Sequence, residues 1–398
     1  MNCDEVWITG LGVVSALGPS WQHFWDGLCA GRSGLGRLSL FECADARSQW
    51  VGQAPTPELG SLPLPRFVSR PDRFGLAAAR EAIATAGLAS AHLHEAAVLF
   101  GTGTGGSPEV EQYLRDLSHG SLPDSGLLVT HQAASVTDLV ARVFGLHGPR
   151  QTLMTACSSS AIAIAQAFDW LRLGQCEVAL AGGAEGLCRL TMAGFGALRA
   201  TSPDPCQPFD KQRKGLNLGE GAAVLVLETR RHAEKRGARP KGRLLGAGLS
   251  CDAHHMTAPH PTGEGARQAM LAALNDAGMG TEAVSYINAH GTGTPHNDST
   301  ESRAVADLLG GRASQVPMSS IKSMIGHTLG AAGAIEAAAC VVALQSGVLP
   351  PTKNLRDPET EYGLDYIAET PRAQAVEVVL SSSFAFGGNN AALVLGRG

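Results

Sequence analysis

Short apolar stretches that run into glycine-, serine- or threonine-rich loops, each followed by a helix-like stretch, recur along this chain. Strands are predicted at residues 6–15, 97–101, 151–155, 177–185 and 223–228, then at 242–250, 284–288, 315–319, 364–368, 375–381 and 391–395. Small and apolar residues at helical spacing predict helices at 21–30, 72–86, 133–144, 161–173 and 191–198, then at 265–277, 300–309 and 329–344. Strands alternating with helices define an α/β fold, with a largely parallel sheet covered on both faces. The same alternation fills both halves, so the chain is read as a duplicated unit, residues 1–235 and 236–398, divided within the basic, polar stretch 229–241. Residues 38–65 are rich in turn-formers and are read as an excursion over the surface. In such sheets ligands bind at the carboxyl ends of strands, where the unusual loops of this chain fall.

With 398 residues, the chain is long enough for two ordinary domains or one large duplicated one. Charged residues make up 17%, and the net charge is −5 with no basic block, so no nucleic-acid partner is expected. The apolar runs fall short of the ~20 residues of a membrane span, and the first ten residues lack a signal-peptide pattern, so no membrane partner is expected. Nine scattered cysteines without a CxxC pair argue against a disulfide framework or a zinc site and for a reducing cytoplasm.

Thr155-Ala156-Cys157-Ser158-Ser159-Ser160 lies between a predicted strand and a predicted helix. Helix amides and the macrodipole favour negative charge there, and a thiolate is the reactive form of cysteine. Cys157 is therefore read as an activated nucleophile, against the general tendency of a single cysteine to be a buried structural residue. The run Gly101-Thr102-Gly103-Thr104-Gly105-Gly106 resembles a phosphate cradle, but no GK[ST] follows, so tight backbone packing is the expectation.

Two further loops follow strands directly: Asn288-Ala289-His290-Gly291-Thr292-Gly293-Thr294-Pro295, and residues 320–328 with Lys322 and His327. Of 13 histidines, His290 and His327 stand apart because glycines and threonines lock both at the predicted site. A cysteine hydrolase uses one histidine oriented by Asn or Asp. Two neutral histidines can instead donate two hydrogen bonds to one carbonyl oxygen and stabilise an enolate, the species left when a malonyl thioester loses its carboxylate. That enolate attacks an acyl group held on Cys157, so the expected chemistry is carbon–carbon bond formation. Lys322 adds a cation near the oxyanion and Glu336 orients a histidine or the lysine; the alternative is a structural ion pair behind the histidines. In the fourth loop, residues 381–390, Phe384 and Phe386 gate a pocket, and the Phe386 amide joins the Cys157 amide in an oxyanion hole.

TACSSS, PFDKQRKGLNLGEGA, NAHGTGTP, KSMIGHTLGAAGAIE and SFAFGGNN, in that order through nearly the whole chain, resemble the elongating β-ketoacyl-acyl carrier protein synthases, condensing enzymes of the thiolase superfamily. The resemblance implies a duplicated thiolase-like fold in five αβαβα layers and a homodimer joined through its sheets. It implies an acyl chain carried on Cys157 and condensed with malonyl-acyl carrier protein, decarboxylated with help from His290 and His327. By the same resemblance Thr292 and Thr294 bind the pantetheine arm, Phe386 gates access, and Arg66, Arg70 and Arg73 dock the acidic acyl carrier protein. No cofactor is implied beyond the phosphopantetheine that the carrier brings, and no metal. Ala385 stands where the family has glycine, Asn217 where it has an apolar residue, and Asn389 where threonine is common; with GTGTGG these point toward polyene or polyketide pathways rather than housekeeping fatty acid synthesis. A thiolase would need a second cysteine near the C-terminus, and none follows Cys340. A chain-length factor shares the fold but lacks the nucleophile; the remaining alternative is the active half of a ketosynthase/chain-length-factor heterodimer.

Overall fold

The computed structural model describes residues 5–43 and 46–398. Eleven strands form its main sheet: β1 (Val6–Val14), β2 (Ala97–Gly101), β3 (Arg150–Leu153), β4 (Val178–Glu185), β5 (Gly221–Thr229), β6 (Gly242–Cys251), β7 (Tyr286–Asn288), β8 (Pro317–Ser319), β9 (Asp365–Tyr366), β10 (Val378–Phe384) and β11 (Asn389–Arg397). Their order is β9-β8-β7-β10-β11-β6-β1-β5-β4-β2-β3. Outward from its centre, β1-β5-β4-β2-β3 pairs antiparallel, antiparallel, parallel, parallel. The run β6-β11-β10-β7-β8 repeats that sequence of senses. Duplication is thus written in the topology. The two runs join where Val6, Trp7 and Ile8 pair with Leu244, Arg243 and Gly242.

The sheet is mixed, with half of its pairings antiparallel, and not largely parallel as the alternation implied. All residues of β4 and β5 are buried, and a strand buried on both faces carries no alternation that tells its direction.

Two helices form the central layer, α3 and α6 of the six needed here: α1 (Arg70–Ala86), α2 (Ser135–Phe144), α3 (Ser159–Arg172), α4 (Glu264–Asp276), α5 (Pro295–Leu309) and α6 (Ala332–Ser346). α3 and α6 pack on each other and on strands of both runs, whereas α1 and α2 cover the first run and α4 covers the second. That gives five layers, αβαβα. Small residues bring the central helices close: a Cβ on Gly333 would stand 2.7 Å from the Cβ of Ala161. The run Leu329–Ser346 is apolar and long enough to cross a membrane by composition, contrary to the expectation from apolar runs, but 89% of it is buried in the protein. It is the core helix of the molecule.

Other expectations shift locally. The region read as a surface excursion contains Trp50–Val51, where Val51 is fully buried and the next residue, Gly52, bridges to Gly219. A helix at Ser107–Ser118 went unpredicted because it is largely polar and buries only Ser107.

Candidate active site

Cys157 sits in a single 3₁₀ turn, Ala156–Ser158, between β3 and α3. Ala156 just before it has φ of 53°, a left-handed conformation that costs a non-glycine residue energy and is sustained by its surroundings. The serines supply those surroundings. Ser159 Oγ accepts from the Thr155 N–H at 2.9 Å and donates to the Ala156 carbonyl at 2.6 Å, while Ser158 Oγ donates to the Thr155 carbonyl at 2.9 Å. The thiol is buried among Val51, Leu187, Met192, Leu216, Leu218 and Leu329. Burial pushes Cys157 up to about 12, against the opposing pull of the Lys322 charge and the Phe386 N–H. A lowered pKa at the helix N-terminus is therefore overturned: the apolar setting outweighs it. The Phe386 N–H faces the sulfur and favours its charged form.

His327 Nε2 lies 3.0 Å from Cys157 Sγ. The other ring nitrogen, Nδ1, accepts from the Leu329 N–H at 3.3 Å, which assigns the proton to Nε2. His290 is oriented from the far side: Lys322 Nζ donates to its Nδ1 at 3.3 Å and to its carbonyl at 2.5 Å. Both histidines thus carry the proton on Nε2. Burial first, and then the Lys322 charge, hold both rings well below the usual histidine range, so they are neutral at pH 7. The rings stand 5.2 Å apart at 83°.

Lys322 pairs with Glu336 through a short contact, and both are buried. Neither lines the cavity above Cys157. Lys322 reaches the chemistry only through His290 and its long-range charge, so the geometry takes the ion-pair alternative over a lysine placed at the oxyanion.

The cavity, about 570 Å³, is lined by Cys157, His290, His327, Thr292, Thr294, Phe384 and Phe386 among others. Phe384 meets the His290 ring edge-on with centroids 6.0 Å apart, and Phe386 stacks on Phe195 at 5.4 Å. The hydroxyls of Thr292 and Thr294 lie 2.9 Å apart on one wall. Arg66, Arg70 and Arg73 are not on this cavity. Arg70 is a correction: its guanidinium turns inward onto buried Glu220, with a side chain only 15% exposed, so it is not available to a partner. Arg66 is exposed but paired with Asp124 at 2.6 Å, and Arg73 is half-buried.

Several residues escaped the sequence reading or entered it only as a departure from the family, as Asn217 did. Glu301 accepts the His290 and Gly291 N–H groups, each at 2.7 Å. Asp298 accepts from Thr292 and Gly293. Both acids sit in α5, which starts at Pro295, five residues earlier than predicted; the proline at the first helical position was the available signal. Asn217 is fully buried. Its Oδ1 accepts the Cys206 N–H at 2.6 Å, and its backbone carbonyl accepts the His327 N–H at 2.7 Å. The Gly101–Gly106 loop does cradle an anion, the chain's own Glu185.

Such a centre can hold an acyl group on sulfur and stabilise an oxyanion beside it, which places the protein among thiol-dependent acyltransferases of thiolase-like fold. Two family models match: "Beta-ketoacyl synthase, N-terminal domain" over residues 4–233 and "Beta-ketoacyl synthase, C-terminal domain" over 241–356. A 3-oxoacyl-[acyl-carrier-protein] synthase 2 of Synechocystis sp. is 40% identical over 98% of this chain and 97% of that protein. The solved ishigamide ketosynthase/chain length factor matches with TM-score 0.95 and 36% identity over 100% of both chains. A type II polyketide ketosynthase, solved with its acyl-carrier protein, matches with TM-score 0.92 and 29% identity, also over 100% of both. The chain belongs to the beta-ketoacyl synthase family, as a condensing enzyme of the type II kind.

Proposed function

We propose that the protein condenses an acyl group carried on Cys157 with malonyl-acyl carrier protein, releasing CO₂ and giving β-ketoacyl-acyl carrier protein. The observation that carries this reading is the pair of neutral rings, each with its Nδ1 engaged, by Lys322 Nζ for His290 and by the Leu329 N–H for His327, with His327 Nε2 3.0 Å from the sulfur. In the first half-reaction Cys157 attacks the acyl thioester, the oxyanion is held by the Cys157 and Phe386 amides, and the thiol proton leaves on the carrier's thiol. In the second, the acylated sulfur no longer needs the His327 hydrogen bond. His290 and His327 donate to the malonyl thioester oxygen, the C–CO₂ bond breaks, and the enolate carbon attacks the acyl thioester. The sulfur leaves as thiolate and takes up a proton from water. Oxyanion donors of this kind are each typically worth about 10²–10³ in rate.

Thr292 and Thr294 present hydroxyls to the pantetheine arm along the wall. At the same cavity Arg47 and Arg199 supply positive charge, with Lys214 beside them paired to Asp204 at 3.0 Å. These, rather than Arg70, suit the arm's phosphate and an acidic carrier protein. The reaction takes no cofactor. Cys157, His290 and His327 bring potential metal-ligand atoms within 4.8 Å of one another. However, the Nε2 atoms carry protons and Lys322 repels a cation, so the trio is read as a donor set.

A dimer is supported by the open edge at β3 and by the exposed Met154 (56%) directly after it. A second copy or a chain-length factor would continue the sheet there; the ketosynthase/chain length factor relative favours keeping the heterodimer as a reading. Halves at residues 1–235 and 236–398, a cytoplasmic setting and a role in fatty acid or polyene and polyketide synthesis complete the reading. Incubation with radiolabelled malonyl-acyl carrier protein tests it. Release of CO₂ that drops by about 10²-fold in His290→Ala or His327→Ala is expected; an unchanged rate removes the enolate argument.

A further inference from the structure

Glu185 ends β4 beneath the active site and is fully buried. All four of its hydrogen-bond donors are neutral. Oε2 accepts the Gly103 N–H at 2.7 Å and the Gly330 N–H at 3.0 Å. Oε1 accepts the Thr104 N–H at 3.0 Å and, through a short contact, the Thr104 hydroxyl. Gly103 and Thr104 belong to the glycine-rich loop of the first half. Gly330 belongs to the 3₁₀ turn Leu329–Ala331 that follows His327 in the second. One carboxylate therefore ties the two halves together where their backbones touch: a Cβ on Gly330 would stand 2.5 Å from the Gly103 nitrogen.

The turn it holds is strained. Leu329 has φ of 45° and directs its N–H at His327 Nδ1. That N–H fixes the proton of His327 on Nε2. A carboxylate is an unfavourable choice here on two counts: burial disfavours its charge, and that charge opposes a thiolate at Cys157. It is also the common side chain of this length that offers acceptor sites alone, matching four donors; a glutamine amide would turn its NH₂ against the Gly103 and Gly330 N–H groups or against the Thr104 N–H.

We propose that Glu185 is a positioning residue for the condensing reaction: it clamps the Leu329–Ala331 turn against the Gly101–Gly106 loop and thereby sets the His327 tautomer that faces Cys157. This rests on the reading of His327 as an Nε2–H donor. Outer partners of this kind typically change activity about 10–100-fold when altered.

The test is ¹⁵N NMR of histidine-labelled protein, with His327 assigned from a His327→Gln spectrum, alongside malonyl-carrier decarboxylation kinetics. In Glu185→Gln, the His327 ring signals are expected to move toward a mixture of tautomers, kcat to fall about 10–100-fold and KM to stay within about twofold. His327 signals identical to the native ones overturn the proposal. If Glu185→Gln does not fold, Thr104→Val, which loses one of the four bonds, is expected to move the same signals by less; no movement there overturns it equally. Should native protein release no CO₂ from malonyl-carrier protein, the reading of function fails, while the tautomer spectra still decide the role of Glu185.

Discussion

The two halves place equivalent elements at the site and use them differently. β3 leads through a 3₁₀ turn with one left-handed non-glycine residue, Ala156 at φ 53°, into the central helix α3. β8, at the equivalent place in the other run, leads to a 3₁₀ turn with its own left-handed residue, Leu329 at φ 45°, and into the central helix α6. β2 and β7 each end in a Gly-Thr-Gly-Thr loop held by a buried glutamate, Glu185 in one half and Glu301 in the other. In the first half the turn presents a nucleophile. In the second the turn presents no reactive side chain of its own, and its Leu329 amide sets the protonation of the histidine two residues before it. In the proposed reaction one half takes the acyl group and the other makes the carbanion. Duplication followed by this division explains why the reacting atoms meet at the central layer, where neither half alone encloses them.

The comparison breaks most visibly at Cys157. Cys157→Ala is expected to abolish acylation while leaving malonyl decarboxylation measurable, as CO₂ release in the absence of an acyl donor. The reciprocal variants His290→Ala and His327→Ala should still acylate but lose decarboxylation by about 10²–10³. If the histidine variants fail to acylate while remaining folded, the division of labour is wrong.

Next in size is the buried Lys322–Glu336 pair. Removing one partner leaves an uncompensated buried charge, so Glu336→Ala should lower stability by about 3–5 kcal/mol in denaturant unfolding. A change below about 1 kcal/mol would mean that the pair does not support His290. Smaller still is Gly330→Ala. Its methyl meets the Gly103 backbone at 2.5 Å, and overpacking of this kind costs about 1–3 kcal/mol.

The pH dependence sharpens the same contrast. Cys157 is raised to about 12, so alkylation by iodoacetamide should keep accelerating up to pH 10 with no plateau near neutrality. The two histidines are depressed below 6.5 in the folded state. Unfolded chains therefore bind more protons in acid, and the stability these rings contribute is present above pH 6.5 and lost as the pH falls through and below it. Decarboxylation should be flat between pH 7 and 8; a rise or fall of a full power of ten there contradicts neutral rings.

Much of this was legible in the sequence. The Cys157 turn, the two histidine loops and the phenylalanine loop fell at strand ends; strand–helix alternation located most of the elements, while the five layers came from the family resemblance. What escaped has physical causes. Strand direction is invisible when both faces are buried, so the antiparallel centre was missed. Cys157 is buried in one apolar cluster with Leu187, Met192 and Leu218, which are distant in sequence, and burial raises its pKa, so local helix position alone pointed the other way. Arg70 looked like a surface cation because its partner, Glu220, lies 150 residues away. Glu185 and Glu301 appear as ordinary polar residues until the loops they hold are seen in three dimensions.

The most direct test of the central claim is intact-protein mass spectrometry after incubation with acyl-carrier proteins bearing saturated and polyunsaturated chains. The account predicts an added acyl mass on the native protein and on His290→Ala, and none on Cys157→Ala. An acyl adduct that persists in Cys157→Ala would contradict it.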